Sequence, residues 1–505
     1  MRRTLTTVVV AVTAAALAPL SSASAVGHPS TGQDRQRVEA SSRLRDAVTV
    51  DRILAHQRAF QAIADGNDGN RAAGTRGYAE SSEYVESVLR TAGYAVQRQP
   101  FTVPHFEQQG EAEVAQVSPT AETYATTTVL FSGAGDVTGQ LVPAGGIQVP
   151  APAEPGVTSG CTSDDFSPAS TAAPQVALIQ RGTCSFEDKV HNAQAAGYDA
   201  AVIFNEGQPG REGTFYGTLA EPAGIPVVTL SYADGASLYE AAVAGGAVLR
   251  VATHVTNTTA TTWNLVAQTG GGDPHRVVLV GAHLDSVPDG PGINDNGSGV
   301  STVLVTAQQL AAQHLHPRNT IRFVFFGAEE GLSYRADGQS IGLLGSDHYV
   351  TTLTRTQRAD IMANLNYDML ASPNYVRFVF DGDASSTGVP MPRGSELIEQ
   401  MFLDYFASRG LATEPIEPTT WDQGEDLGPL VGAGIPTGGL FAGDDRPKTG
   451  AQAATYGGTA GESYDACYHL DCDTYANQSR AALDELGDAA AHMVWTLGEL
   501  RGDLP

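Results

Sequence analysis

Five short stretches of this chain carry side chains that hold metal or move protons. They are Ala282-His283-Leu284-Asp285-Ser286, Gly292-Ile-Asn-Asp295-Asn296-Gly-Ser-Gly299, Gly327-Ala-Glu329-Glu330-Gly331, Asn366-Tyr-Asp368-Met369 and Cys467-Tyr468-His469-Leu470-Asp471-Cys472. Together they offer two histidines and several carboxylates, a nitrogen and oxygen donor set that suits a borderline divalent ion such as Zn²⁺. One metal needs only three such groups and a water. The surplus points to two metals, each with one histidine and one unshared carboxylate, and with one carboxylate shared between them. Such pairs stand about 3.5–4 Å apart and clamp the attacking and the carbonyl oxygen of a hydrolysed bond.

A lone His-x-Asp is most often a hydrogen-bonded or surface pair, and adjacent glutamates are most often a solvated face. Glu329-Glu330, however, closely follows Phe323-Val-Phe-Phe326, a run that belongs in the interior. A carboxylate buried there unpaired costs several kcal/mol, so it needs a partner, and a metal supplies one. His28, His56, His105, His191, His254, His275, His314, His316, His348 and His492 lack such surroundings and read as structural or exposed.

The elements that must position these residues alternate. Strand Val277–Gly281 leads into His283, a helix runs from Gly299 to about Gln313, strand Ile321–Phe326 leads into the glutamates, and a helix lies near Ser346–Leu353. Ile361–Tyr367 leads into Asp368. Strand, helix, strand spacing of this kind makes right-handed crossovers and a largely parallel sheet covered on both faces, whose ligands collect at the carboxyl ends of the strands. Ahead of this part come a helix from Val50, a second over Ala79–Thr91 and the strand Tyr94–Phe101. Between about 103 and 258 the chain turns rich in Thr, Val, Gly and Pro and reads as a separate β-rich domain. There Pro174–Gly182 and Ala200–Phe204 are expected as strands, and Phe186–Ala196 as a helix.

The 505 residues allow two or three domains. With 29 Lys+Arg against 56 Asp+Glu the net charge is −27, which repels phosphate backbones and anionic lipid and argues against nucleic-acid and membrane partners. Arg2 and Arg3, the apolar stretch Leu5–Leu17 and Ala23-Ser-Ala25 read as a secretory signal peptide over 1–25. Residues 26–45 are polar and without apolar periodicity, a pro-segment or a disordered start. An exported protein permits disulfides, and two local pairs, Cys161 with Cys184 and Cys467 with Cys472, are the simplest arrangement.

The five blocks, in this order and with Gly290-Pro-Gly-Ile-Asn-Asp-Asn-Gly-Ser-Gly299 extending the second, resemble the signature of the M28 zinc metallopeptidases, most closely secreted leucine-type aminopeptidases. The resemblance implies an α/β fold with a mixed, largely parallel central sheet flanked by helices (the zinc exopeptidase fold). The peptidase domain would occupy 46–110 and 259–505, around an insertion at 111–258. Pro174-Gln-Val-Ala-Leu-Ile-Gln-Arg-Gly-Thr-Cys-Ser-Phe186 makes that insertion similar to a protease-associated (PA) domain, expected as a lid. The resemblance assigns His283 and Asp368 to one Zn²⁺, Glu330 and His469 to the other, and Asp295 to the bridge. Glu329 is the implied general base, Tyr468 the implied hydrogen-bond donor to the oxyanion, and Asp285 the residue that orients His283.

The substrates implied are peptides with a free N-terminus, cut by a secreted monomer that removes Leu and other large apolar residues. Other M28 activities (dipeptidase, carboxypeptidase, glutaminyl cyclase) and a non-catalytic PA/peptidase-like receptor are the alternatives. Three places depart from close relatives. Residues 331–340 intervene before Ile341, Gly424 stands where some relatives carry a substrate-end arginine, and Asp484 with Asp488 match a Ca²⁺-binding pair whose third aspartate aligns with Ala47.

Overall fold

A computed structural model describes residues 32–219, 221–330, 342–417, 425–502 and 504. The expected signal peptide, the loop 331–340 and Gly424 lie outside the described residues.

The peptidase-like part is built on strands that share one direction. Asp273–His283 pairs in parallel with Asn319–Phe326 on one side and with Ile361–Tyr367 on the other, and Thr437–Phe441 continues the parallel set. Val248–Gln268 and Phe378–Phe380 flank this group antiparallel, so the sheet is mixed but largely parallel, as expected. Both faces are covered, and period-two alternation along the central strand explains how. Val278 and Val280 face helices Val50–Asp65, Gly297–Ala312 and Arg480–Gly498, through Ile53, Phe60, Val303 and Leu486. Val277 and Leu279 face the other way, against Tyr349, Val350 and Leu430.

Val96–Ser118 and Val248–Gln268 form a long antiparallel ribbon, in register from Val96↔Ala267 to Ser118↔Val248 with shifts near Gly110. The ribbon carries the sheet onward into Gly135–Pro143, Gln175–Gln180, Ala200–Phe204 and Val227–Leu230. Helix Phe186–Ala195 packs on one face of these strands through Val190 and Ala193, and helix Tyr232–Gly245 on the other through Leu238. The second helix was not foreseen, because its Ala- and Gly-rich sequence gives a weak apolar stripe. Disulfides join Cys161 to Cys184 and Cys467 to Cys472, the two local pairs expected.

Part of the polar stretch at 26–45 is ordered, as the helix Gly32–Ala47, which packs on Arg480–Gly498. Ala40 and Leu44, with Val48 beyond the helix end, are buried at a spacing of four, a stripe too thin to stand out among polar neighbours.

Candidate metal centre

The five expected ligands converge at the carboxyl ends of the parallel strands. His283 closes its strand opposite Phe326, so Glu329 and Glu330, three and four residues further on, turn back over it. Asp295 lies between the two histidines. Its Oδ1 is 3.2 Å from His283 Nε2, and its Oδ2 is 3.2 Å from His469 Nε2. On the first side Asp368 Oδ2 comes within 3.4 Å of His283 Nε2, and on the second Glu330 Oε2 comes within 3.1 Å of His469 Nε2. Glu329 Oε2 is 3.9 Å from His283 Nε2. Each histidine therefore has one carboxylate of its own, and the two share a third. The His283 side chain is 2% exposed and that of His469 40%, so the pocket opens on the His469 side.

These groups fit a bound cation. His283 Nε2, Glu330 Oε1 and Asp368 Oδ1 are buried and make no hydrogen bond. His283 Nδ1 donates to the backbone carbonyl of Asp285 at 3.2 Å, which fixes the ring and turns the Nε2 lone pair toward the carboxylates. Burial raises Glu330 to about 7, Asp295 adding to the rise and His469 opposing it. Burial likewise raises Glu329 and Asp368, with His283 opposing in each case. Burial alone would depress the histidines, yet Asp368 and Glu329 hold His283 well above its ordinary value, and Glu330 and Asp295 hold His469 at about 11. Upward shifts at Glu330, Glu329, Asp368 and both histidines mark a site of crowded negative charge, which a divalent ion would offset.

The backbone is shaped to bring these groups in. Ala328, Met369 and His469 all have left-handed φ, at 56°, 46° and 57°. Each is a ligand or lies within two residues of one, and such conformations cost about 1–3 kcal/mol apiece in non-glycine residues. Asn296 caps helix Gly297–Ala312 by accepting from Gly299 N and donates to Tyr367 O at 2.9 Å, tying the Asp295 loop to the strand that leads into Asp368. A Cβ at Gly299 would lie 2.2 Å from both Asn296 Oδ1 and Tyr367 O, so only glycine allows this approach.

The M28 family model matches residues 264–494, and the PA domain model matches 137–238. An aminopeptidase of Pseudomonas aeruginosa is 41% identical over 446 residues, spanning 87% of this chain and 79% of that protein. The chain belongs to peptidase family M28. A leucine aminopeptidase 2 of Trichophyton equinum is 32% identical over 87% of this M28 peptidase and 82% of its own length. The solved aminopeptidase of Aneurinibacillus sp. strain AM-1 shares the fold, with a TM-score of 0.68 over 92% of this chain and 97% of that one at 21% identity.

Several residues that build the centre of this M28 peptidase escaped the sequence reading. Asp473 accepts the backbone N–H groups of Asn294 and Asp295 at 2.8 and 3.0 Å. Asn294 donates to Asp465 and Ser372 at 2.6 and 3.1 Å. Arg71, fully buried beneath the loop, donates to the carbonyls of Leu284, Pro291 and Gly292. Glu425 accepts from Asn366 at 2.9 Å, and burial raises Asp426 to about 7. Asp473 had a usable signal, since it directly follows the Cys467–Cys472 loop. Arg71 had none, lying far off in sequence among polar residues.

The other expected positions divide. Tyr468 stacks on His469 with ring centroids 3.8 Å apart, and burial, followed by Asp295 and Glu330, holds its hydroxyl well above the usual value, so it stays a proton donor. The Asp285 carboxylate, expected to orient His283, lies 3.8 Å from Nδ1 and accepts instead from Glu329 N and Glu330 N, while its backbone carbonyl meets the ring. Asp488 faces Arg45 at 3.7 Å and Arg409 at 4.0 Å.

Proposed function

We propose that this M28 peptidase is a two-zinc aminopeptidase, with His283 and Asp368 holding one ion, Glu330 and His469 the other, and Asp295 bridging. The observation that carries the reading is Asp295, whose two oxygens each lie 3.2 Å from a different histidine. Bound Zn²⁺ supplies Lewis acidity toward the scissile carbonyl and makes water a nucleophile near neutral pH. The rest falls to the chain. Glu329 takes the proton of the attacking water and returns it to the departing amine nitrogen. The Tyr468 hydroxyl donates to the oxygen that gains negative charge. Glu329 and Asp368 hold the substrate's free α-amine. Asp473 and Asn296 keep the bridging carboxylate in place, and Arg71 keeps the loop before it closed.

Large apolar N-terminal residues are the proposed substrates, in line with the leucine aminopeptidase name of the Trichophyton relative. We also propose that the protein is exported as a monomer after loss of 1–25, with the peptidase domain at 46–110 and 259–505 and a PA lid at 111–258. No described helix is long and apolar enough to cross a membrane. The test compares Leu-p-nitroanilide with its N-acetyl derivative. Cleavage confined to the free amine is expected, and equal cleavage of both would exclude an aminopeptidase.

A further inference from the structure

A second group of three carboxylates lies elsewhere in the fold. Asp381 and Asp383 follow strand Phe378–Phe380, and Glu399 stands on helix Ser395–Ser408. One oxygen from each lies within 4.8 Å of the others. The strand runs antiparallel to Thr437–Phe441, which is parallel to Ile361–Tyr367, the strand that leads into Asp368. The chain therefore leaves Phe380 toward the opposite rim of the sheet from the zinc-type cluster.

Asp381 is fully buried. Its Oδ2 accepts from Ser386 N at 3.1 Å and from Thr387 N and Oγ1 at 2.7 Å each, whereas its Oδ1 is buried without a hydrogen bond. Glu399, 7% exposed, accepts from Gly382 N and Asp383 N at 3.0 Å each through Oε2. Asp383, exposed at the outer side, accepts from Ser385 N at 2.8 Å. Among the described residues, no arginine, lysine or histidine forms an ion pair with any of the three. Leaving a buried carboxylate oxygen without a partner costs more than a hydrogen bond returns, so the orphaned Oδ1 calls for a cation.

We propose that Asp381, Asp383 and Glu399 form a Ca²⁺ site that clips the loop 381–388 onto helix Ser395–Ser408. The donors are all oxygen, which selects a hard ion that takes six to eight oxygen ligands, with water completing the set. Imidazole and thiolate, which favour zinc, are missing from the group.

The test titrates CaCl₂ into the zinc-loaded full chain by calorimetry, with thermal unfolding followed in parallel. Wild type is expected to bind Ca²⁺ and to melt higher in its presence. Asp381→Asn is expected to weaken binding by about tenfold or more, since ligand charge sets Ca²⁺ affinity. Asp383→Asn, at an exposed side chain that leaves packing intact, is expected to weaken it too. Asp488→Asn, outside the site, is expected to bind as wild type does. Absence of Ca²⁺ uptake by wild type, or unchanged affinity in both Asp381→Asn and Asp383→Asn, would overturn the proposal.

Discussion

Asp285 accepts the backbone N–H of Glu329 through its side chain at 3.2 Å, so the residue two places after His283 fixes the turn that delivers Glu329, the proposed general base. Its other oxygen takes Glu330 N, and its own carbonyl takes His283 Nδ1. Three parts of the centre thus hang on one side chain and one peptide unit. Asp285→Asn keeps the size but turns a donor toward an N–H. Activity is expected to fall by about 10–100-fold, with zinc affinity reduced alongside, as losses of supporting groups commonly do. Near-wild-type kcat and zinc content would show that the turn holds without it.

Glu329 is nearly buried, and its Oε2 lies further from His283 Nε2 than any of the nearest ligand oxygens, at 3.9 Å. That longer distance suits the proton-shuttling role proposed for it better than a place in a ligand pair. Glu329→Gln is expected to retain both zinc ions while losing roughly 10²–10⁴-fold in kcat. Zinc content by elemental analysis separates this outcome from simple loss of metal, and undiminished turnover would remove the residue from the proton path.

Arg71 spends its guanidinium on three carbonyls of the 284–292 loop, and burial lowers it to about 10 while Asp285, Asp473 and Asp295 oppose the fall. Arg71→Met leaves the Leu284 and Pro291 carbonyls without that donor at about 1–3 kcal/mol each, while Gly292 O keeps the bond from Gly297 N at 3.1 Å. Urea unfolding should show a loss of about 3 kcal/mol or more together with loss of activity. A stable, active variant would mean that the loop closes on other contacts.

His492 bonds Ser41 Oγ through Nδ1 at 3.2 Å, and burial, followed by Arg45, lowers it to about 4. In the unfolded chain it titrates near its ordinary value, so between about pH 6.5 and 4 the unfolded state binds the extra proton and stability falls as pH falls. His492→Gln removes this contribution. Relative to wild type the variant should gain stability as pH drops through that window, as read from unfolding midpoints at several pH values. A constant difference would mean that the histidine titrates alike in both states.

Much of the centre was legible because its residues sit where a parallel sheet puts them. Asp368 directly follows a strand, the Glu329-Glu330 pair closely follows another and His283 ends a third, so chain pattern located them as candidates and the family resemblance supplied their roles. Helix Gly32–Ala47 and helix Tyr232–Gly245 were hidden, since Ala40 and Leu44 or a run of alanines carries little periodic contrast. Arg71, Asn294 and Asp473 were hidden for another reason. Their roles depend on which backbone groups they meet across the fold, and neither spacing nor composition encodes such meetings. The division of labour at Asp285 between side chain and carbonyl belongs to the same class.

The central claim is a pair of zinc sites joined by Asp295, and zinc-edge anomalous diffraction from crystals of the Zn²⁺-loaded protein tests it most directly. The account predicts two peaks per chain, one beside His283 and Asp368 and one beside Glu330 and His469, with an Asp295 oxygen on each. A single peak, or two peaks that Asp295 does not join, would contradict it.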